Sequence, residues 1–314
     1  MRVVPRVAAV SVTLVLGGCT LEEITIVEVE DVVIAEIYVN LAGDSTLNEI
    51  RAFLHRTVGV PSAEAGALTQ TLITVRRSDG FTMELREQAS EDCVLTLAPG
   101  DEGACFLADP AQTQNLHPGD LLEVDVRLED GRVLFGAARV PSSFEIEGAP
   151  TVCVLTPNTL LPIRWSRAEG AWAYVNEIAI RGLPDALARE GSGIVVTEDP
   201  LYLLGLSVSD QDTTIVFPTE FGIFNRLALA QDVAVRLQSG IPGRTSAQIS
   251  ITAVDGNYVN WARGGNFNPS GQVRVPSLRG DGTGVFAATV NRRFIVLSAV
   301  LLPTVPDCPV PAPQ

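Results

Sequence analysis

Apolar and β-branched residues recur along the chain in short runs, many of which alternate with polar residues. A period of two with a β-branched bias predicts β-strands. The segments with this pattern are residues 32–39, 50–55, 72–76, 82–86, 121–128, 133–140, 161–165, 171–180, 203–208, 214–217, 233–237, 247–254, 287–290 and 293–302. Turn residues separate them, and many short strands at this spacing are typical of a β-sandwich.

Two of the connections carry a specific turn signal. Asp79-Gly80 and Asp130-Gly131 each separate two of the predicted strands. Glycine accepts the positive φ that a tight turn requires, so Asp-Gly between alternating runs is a strong hairpin signal. Both pairs of strands are therefore predicted to be antiparallel hairpins.

Helical signals are few and lie in the second half of the chain. Residues 184–190 can form one or two helical turns, and residues 221–230 have apolar positions on one helical face. The proline- and glycine-containing segment 141–150 indicates a domain boundary. The sequence predicts a mainly β protein with two immunoglobulin- or fibronectin-like β-sandwich domains, residues 31–146 and 147–310, and one or two short helices in the second.

The N-terminus has the parts of a secretory signal. Arg2 and Arg6 precede an apolar run at residues 7–16 that is too short to span a membrane as a helix. Leu16-Gly17-Gly18-Cys19 follows, and it resembles the signal of bacterial lipoproteins, in which the cysteine is acylated and becomes the first residue of the mature chain. The alternative is an ordinary cleaved signal in which Cys19 has no role.

The lipoprotein interpretation divides the N-terminal region into a signal peptide, residues 1–18, and a tether, residues 19–30. Acyl chains such as palmitate on Cys19 would hold the protein on a bilayer, at about 0.8 kcal/mol per buried CH₂. Thr20 stands where an aspartate would resemble the inner-membrane retention signal of Gram-negative bacteria. The resemblance therefore favours the outer membrane, on either its periplasmic or its outer surface.

Composition excludes several classes of protein. Hydrophobic residues make up 46% of the 314 residues and charged residues 19%, which excludes wholesale disorder. The net charge of −15, without a basic stripe, argues against a nucleic-acid partner because nothing would offset phosphate repulsion.

The cysteines indicate an oxidising compartment. Five are present, and assigning Cys19 to lipid leaves an even number, as in secreted disulfide proteins. Cys93 and Cys105 flank a turn-like stretch, and Cys153 and Cys308 lie near the two ends of the second half. Three connectivities exist for four cysteines, and the spacing favours Cys93 with Cys105 and Cys153 with Cys308.

One aromatic and amide-rich segment is a candidate ligand site. The residues proposed for it are Asn257, Tyr258, Asn260, Trp261 and Phe267. Aromatic faces and amides could stack on and hydrogen-bond a sugar or a peptide. The alternative is a loop or short helix whose aromatic rings plug the end of the sandwich.

Catalytic and metal chemistry find little support. His55 and His117 are the only histidines, no Gly-x-Ser-x-Gly elbow accompanies them, and no cysteine pair has CxxC spacing. Asp210 with Asp212, or Asp255 with Asn257, could offer oxygen ligands to calcium, but neither stretch matches an EF-hand loop. We expect no catalytic residue, metal or cofactor.

Short motifs occur in a fixed order along the mature chain. They are residues 32–39, Leu116-His117-Pro118-Gly119-Asp120-Leu121, the Asp130-Gly131 turn before Val140-Pro141, residues 165–174, Tyr258-Val259-Asn260-Trp261 and Gly282-Thr283-Gly284-Val285-Phe286. With the signal and its cysteine, this order resembles an uncharacterised family of two-domain, β-rich outer-membrane lipoproteins of Gram-negative bacteria. The resemblance implies an association with TonB-dependent receptors and supplies no catalytic residues.

The expectation from the sequence is a non-enzymatic binding or assembly module, held at the outer membrane by lipid and accessory to a TonB-dependent uptake receptor. The first alternative is a lipoprotein that binds a carbohydrate or peptide ligand through the aromatic segment. The second is a hydrolase that uses a pair of carboxylates, which requires two facing acids about 5 to 9 Å apart.

Overall fold

A computed structural model describes most of the chain from Val32 onward. The described residues are 32–57, 68–89, 92–93, 103–207, 209–219, 230–263, 274–299 and 304–309. The predicted signal peptide and tether, with Cys19, lie outside them, as do Phe267 and nearly all of the candidate helix at 221–230. Residues 31–314 cluster as one compact unit. None of the described helices is long and apolar enough to cross a membrane.

The described residues contain fifteen β-strands. They are β1 (Val33–Leu41), β2 (Glu49–Arg56), β3 (Leu72–Arg77), β4 (Thr82–Gln88), β5 (Gly103–Ala108), β6 (Leu121–Arg127), β7 (Val133–Arg139), β8 (Val152–Leu155), β9 (Leu161–Arg164), β10 (Ala173–Arg181), β11 (Leu201–Leu206), β12 (Thr214–Phe217), β13 (Thr245–Val254), β14 (Arg279–Gly280) and β15 (Thr283–Ser298). The prediction of a mainly β fold is confirmed.

Helices are short and lie between strands. They are α1 (Pro110–Thr113), α2 (Leu183–Glu190), α3 (Gln231–Leu237) and α4 (Gly256–Arg263), with a 3₁₀ helix at Ser45–Leu47. The helix predicted at 184–190 is α2. The second half thus has three described helices, one more than the upper prediction. The strand predicted at 233–237 is wrong, because Val233 and Leu237 are four residues apart and bury one face of α3.

The first half is a sheet that returns to its starting point. The strand order is β15-β1-β2-β5-β4-β3-β6-β7-β14, and only the β15 to β1 pairing in it is parallel. Both predicted Asp-Gly hairpins are present, as the β3–β4 and β6–β7 pairs. Because β14 pairs with β7 and leads directly into β15, the two ends of this path meet.

The second half continues the same sheet and adds a small second one. The order β11-β10-β13-β15 extends the large sheet, and β8 pairs with the end of β15. Strands β9 and β12 form the second sheet. Trp165, which follows β9, meets Tyr174 of β10 edge to face with 5.3 Å between ring centroids. The two layers enclose apolar side chains as a β-sandwich does.

The long strand β15 belongs to both halves. Its first part pairs with β1 from Thr283 to Val290, and its second part pairs with β13 as far as Ser298. Two terminal strands were predicted here, residues 287–290 and 293–302. That prediction is wrong, since Asn291 and Arg292 pair with Thr252 and Ile251 of β13 and the strand runs through them without a break. The Asn291 amide also donates to Thr252 Oγ1.

The predicted boundary segment 141–150 joins β7 to β8 and is fixed by β15. The Arg292 guanidinium donates to the Phe144 carbonyl (3.0 Å) and to Ser143 Oγ (2.7 Å), and it lies over the Phe144 ring. The favoured cysteine pairing is confirmed by disulfides between Cys93 and Cys105 and between Cys153 and Cys308.

Candidate functional site

Helix α4 carries most of the residues predicted to bind a ligand, and a buried carboxylate holds its start. Asp255 Oδ1 accepts from the backbone N–H of Tyr258 (2.9 Å), and Oδ2 accepts from that of Ala288 in β15 (3.2 Å). The first bond caps the helix and the second ties it to the sheet. Burial raises the pKa of Asp255 to about 7, against the backbone hydrogen bonds that lower it.

Asn257 ties α4 to two strands at once. Its side-chain Nδ2 donates to the Ala137 carbonyl of β7 (2.9 Å) and to the Phe286 carbonyl of β15 (2.8 Å). Both amide hydrogens are therefore used within the protein, and the residue joins β7 to β15.

Trp261 is a packing residue. Its side chain is 7% exposed and covers Val285 and Ala287, on the face of β15 opposite the main core. The indole Nε1 donates to Glu36 Oε1 (3.3 Å), and the Arg274 guanidinium lies 4.8 Å from the ring centroid. Arg274 also pairs with Glu36 at 3.3 Å.

Tyr258 packs in the same way. Its ring contacts Tyr38 of β1 at 6.1 Å between centroids, edge to face. Burial is the main cause that raises the pKa of both phenols, and neighbouring carboxylates add to it. Asn260 is half-buried. The described members of the aromatic segment thus lie on a helix packed against the sheet, whereas Phe267 lies outside the described residues.

Two exposed aromatic side chains lie near the start of α4. Trp172, in the loop before β10, is 57% exposed, and Phe135 of β7 is 52% exposed. A methyl group at Gly256 would lie 2.8 Å from Cε2 of Trp172, so the glycine lets the indole rest against the first turn of α4. Phe135 stands two residues from the Ala137 carbonyl that Asn257 holds.

A cleft of about 610 Å³ opens along this part of the sheet. Its walls come from β3, β6 and β7, from Asn257 and from the segment before β14. The lining residues are Arg76, Glu123, Val124, Asp125, Phe135, Gly136, Ala137, Asn257, Pro276, Ser277 and Arg279. Gly136 is required here because a side chain at that position would meet the Ser277 carbonyl and the Leu278 side chain at 2.9 Å.

A second cleft, of about 630 Å³, lies at the other end of the first half. Its lining residues are Thr46, Leu47, Asn48, Glu49, Arg86, Gln88, Leu107, Ala108, Asp109 and Pro110. This set includes no aromatic side chain, so the cleft beside α4 is the better candidate for a site that stacks on a ligand ring.

The histidines and acids do not meet in a catalytic arrangement among the described residues. His55 stacks on Phe53, and His117 follows α1 on an exposed turn. Glu123 and Asp125 in the cleft pair with Arg76 (3.7 Å) and Arg127 (2.6 Å). Over the described ranges, no three His, Cys, Asp or Glu residues are grouped so that they could hold a metal ion.

No family model matches the sequence. No curated protein matches it either. Among solved structures, the chain is similar to one described as the fibronectin(III)-like modules of Clostridium thermocellum CbhA, at 10% sequence identity. The match covers 86% of this chain and 97% of that chain with a TM-score of 0.19, which is too low to carry an argument.

Sequence patterns did not identify Trp172 and Phe135 as surface aromatics. Each lies in or next to a predicted strand, where alternation indicates that one face is buried but not which face stays uncovered. One signal in the sequence was usable. Phe135 lies on the face of its strand opposite Leu134 and Ala138, which are buried, so alternation places its ring on the outward face.

Proposed function

We propose that the protein is a lipid-anchored, non-enzymatic binding or assembly module of the bacterial outer membrane. The observation that supports this most is the state of its cysteines. Four of the five form two disulfides, which are characteristic of exported proteins, and the remaining one is Cys19, directly after Leu16-Gly17-Gly18. A lipid on that residue would account for the fifth cysteine.

The proposed role is binding rather than hydrolysis, because the buried acid and the acids of the cleft already have hydrogen-bond or ion-pair partners. Asp255 is the buried carboxylate with a pKa near neutrality, and both its oxygens accept backbone N–H groups. The acids of the cleft are in ion pairs with arginine. The partner proposed is a TonB-dependent uptake receptor, which rests on the family resemblance alone.

An unusual feature of the sequence makes the anchor easy to test. The chain has no lysine, so all 22 cationic residues are arginines. A mature protein that begins at Cys19 then has a single primary amine, its N-terminus. We expect protein purified from membranes to carry a diacylglyceryl group on Cys19 by mass spectrometry, and a triacylated form to resist amine-reactive dyes altogether.

The control is Cys19→Ser, which should release the protein from the membrane fraction. An unmodified Cys19 in protein recovered from membranes would overturn the anchor. For the partner, a photo-crosslinking residue at Leu121, exposed on the first half, should yield an adduct with a TonB-dependent receptor in intact outer membranes. Absence of that adduct, with adducts to other proteins present, would remove the receptor from the proposal.

A further inference from the structure

The indole of Trp172 is held as a platform with one side open. Its backbone N–H donates to the Val254 carbonyl (2.8 Å), which fixes the residue at the end of β13. One part of the ring lies against Gly256, where even a methyl group would collide, while 57% of the residue stays exposed. An aromatic face fixed in advance in this way costs little entropy when a ligand stacks on it.

The platform adjoins the cleft through Gly256 and Asn257. Gly256 supports Trp172, and the next residue, Asn257, lines the cleft and holds the Ala137 carbonyl of β7. Phe135, half-exposed, forms part of the cleft wall on the same strand. This part of the surface therefore offers two exposed aromatic side chains, Phe135 in a polar cleft and Trp172 next to one of its lining residues.

The charges in the cleft are balanced. Arg76 and Arg279 supply donors, and Glu123 and Asp125 supply acceptors, so two cations face two anions. Among the described residues, the Arg279 guanidinium has no ion-pair partner. A phosphate or an acidic peptide would meet two carboxylates here, and a cationic ligand would meet two guanidinium groups. A ligand of neutral hydroxyl groups can use both, because each hydroxyl donates and accepts.

We propose that the cleft and the Trp172 platform form a binding site for a neutral oligosaccharide. Sugar rings stack their apolar C–H faces on Trp172 and Phe135, and their hydroxyl groups bond the arginine and carboxylate side chains. The inference deepens the proposed role as a binding module by naming its ligand class, and it does not depend on the lipid anchor. The sequence-based expectation placed ligand contacts on Asn257, Tyr258, Asn260, Trp261 and Phe267, and this site keeps only Asn257 of them.

The test uses the full mature protein in a detergent without a sugar headgroup, because glycoside detergents would compete. The probes are neutral cello-, malto-, xylo- and chito-hexaose, titrated by calorimetry and by tryptophan fluorescence. Trp165 and Trp261 are buried, so a stacked sugar should change mainly the Trp172 emission. We expect at least one probe to bind, and Trp172→Ala to weaken that binding about tenfold or more, about 1.4 kcal/mol.

Two further variants sharpen the result. Trp172→Phe should recover part of the affinity and Phe135→Ser should weaken binding, whereas the matched control Leu72→Ser, an exposed apolar residue outside the cleft, should leave it unchanged. Lack of binding by every probe at millimolar concentration would overturn the proposal, as would binding that Trp172→Ala leaves intact. Tighter binding of oligogalacturonate or of an acidic peptide would overturn the neutral class. Neither result would bear on the lipid anchor at Cys19. Conversely, an unmodified Cys19 would not bear on the oligosaccharide site.

Discussion

Two regions on the outward face of the large sheet each combine an aromatic ring, an arginine and a carboxylate, but the ring is buried in one region and exposed in the other. Over β15 and β1, Trp261 lies against Arg274, which pairs with Glu36 at 3.3 Å. Over β3, β6 and β7, Phe135 shares a cleft with Arg76 and Glu123, which pair at 3.7 Å. The tryptophan is 7% exposed and the phenylalanine 52% exposed.

The two regions differ in whether a helix packs over the aromatic ring. Helix α4 lies over the first region and brings Trp261 down onto Val285 and Ala287. At its first turn the helix is tied to β7 by the Asn257 side chain, and Phe135 on that strand remains 52% exposed. The comparison teaches that an aromatic ring, an arginine and a carboxylate do not by themselves indicate a site. Such a group can bind a ligand only where no other element of the protein packs against the aromatic face.

The largest change in the free energy of unfolding is expected for substitution of the buried Trp261. Trp261→Ala removes a buried indole and leaves a cavity over Val285 and Ala287, so we expect the free energy of unfolding to fall by about 3–5 kcal/mol. Phe135→Ala on the open region should change it by no more than about 0.5 kcal/mol. Urea unfolding followed by circular dichroism measures both. Equal losses would show that the two regions are covered alike.

The second prediction concerns the carboxylate under α4. The pKa of Asp255, about 7 when folded, lies above its ordinary value of 3.8, so the folded protein holds this proton more tightly than the unfolded chain. The resulting stability is complete below about pH 4 and is lost as the pH rises to 7, with a slope of up to about 1.4 kcal/mol per pH unit.

The variant Asp255→Asn has no ionisable group at this position, so comparison with it isolates the contribution of Asp255 to the pH dependence of stability. Between pH 4 and 8, the unfolding free energy of the natural protein should fall relative to that of the variant as the pH rises. Parallel pH profiles for the natural protein and the variant would mean that Asp255 ionises normally.

The third prediction tests the link between the covered and open regions. Asn257→Ala removes the side-chain donor to the carbonyls of Ala137 and Phe286, at a cost of about 1–3 kcal/mol. The Phe286 carbonyl still accepts from Ser277 Oγ. Amide hydrogen exchange should become faster in β7 next to the cleft. Asn260→Ala, one turn along the same helix, is the matched control and should change stability by no more than about 0.5 kcal/mol.

The smallest effect is expected for the partly exposed ion pair. A double-mutant cycle with Glu36→Gln and Arg274→Gln should give a coupling of about 0.2–1 kcal/mol that weakens in high salt. The same cycle on Arg76 and Glu123, in the open region, should give less. A larger coupling in the open pair would reverse the comparison between the two regions.

Much of the fold was predictable because it rests on local patterns. Asp79-Gly80 and Asp130-Gly131 produced the expected hairpins, since glycine at positive φ permits the turn. The strand β8 was missed because it has only four residues and depends on β15 for its pairing. The same dependence on distant partners explains why α3 was predicted as a strand. Its Val233 and Leu237 face a core that the local pattern does not reveal.

The candidate site was predictable only in part. The sequence identified Asn257, Tyr258 and Trp261 as an unusual cluster, and the structure places all three on α4. Whether their rings face solvent depends on Val285 and on Tyr38, which are far away in the chain. The exposure of Trp172 likewise depends on Gly256, a contact that forms only after folding.

The shared strand β15 also sets the order in which the molecule can be completed. Among the described strands it is the last, yet β1, the first of them, needs it as a neighbour, and so does β13. A nascent chain that has emerged only as far as β7 lacks the edge that closes its sheet. Completion of the sheet therefore waits for the C-terminal part of the chain, and pairing between residues so far apart in sequence gives slow folding.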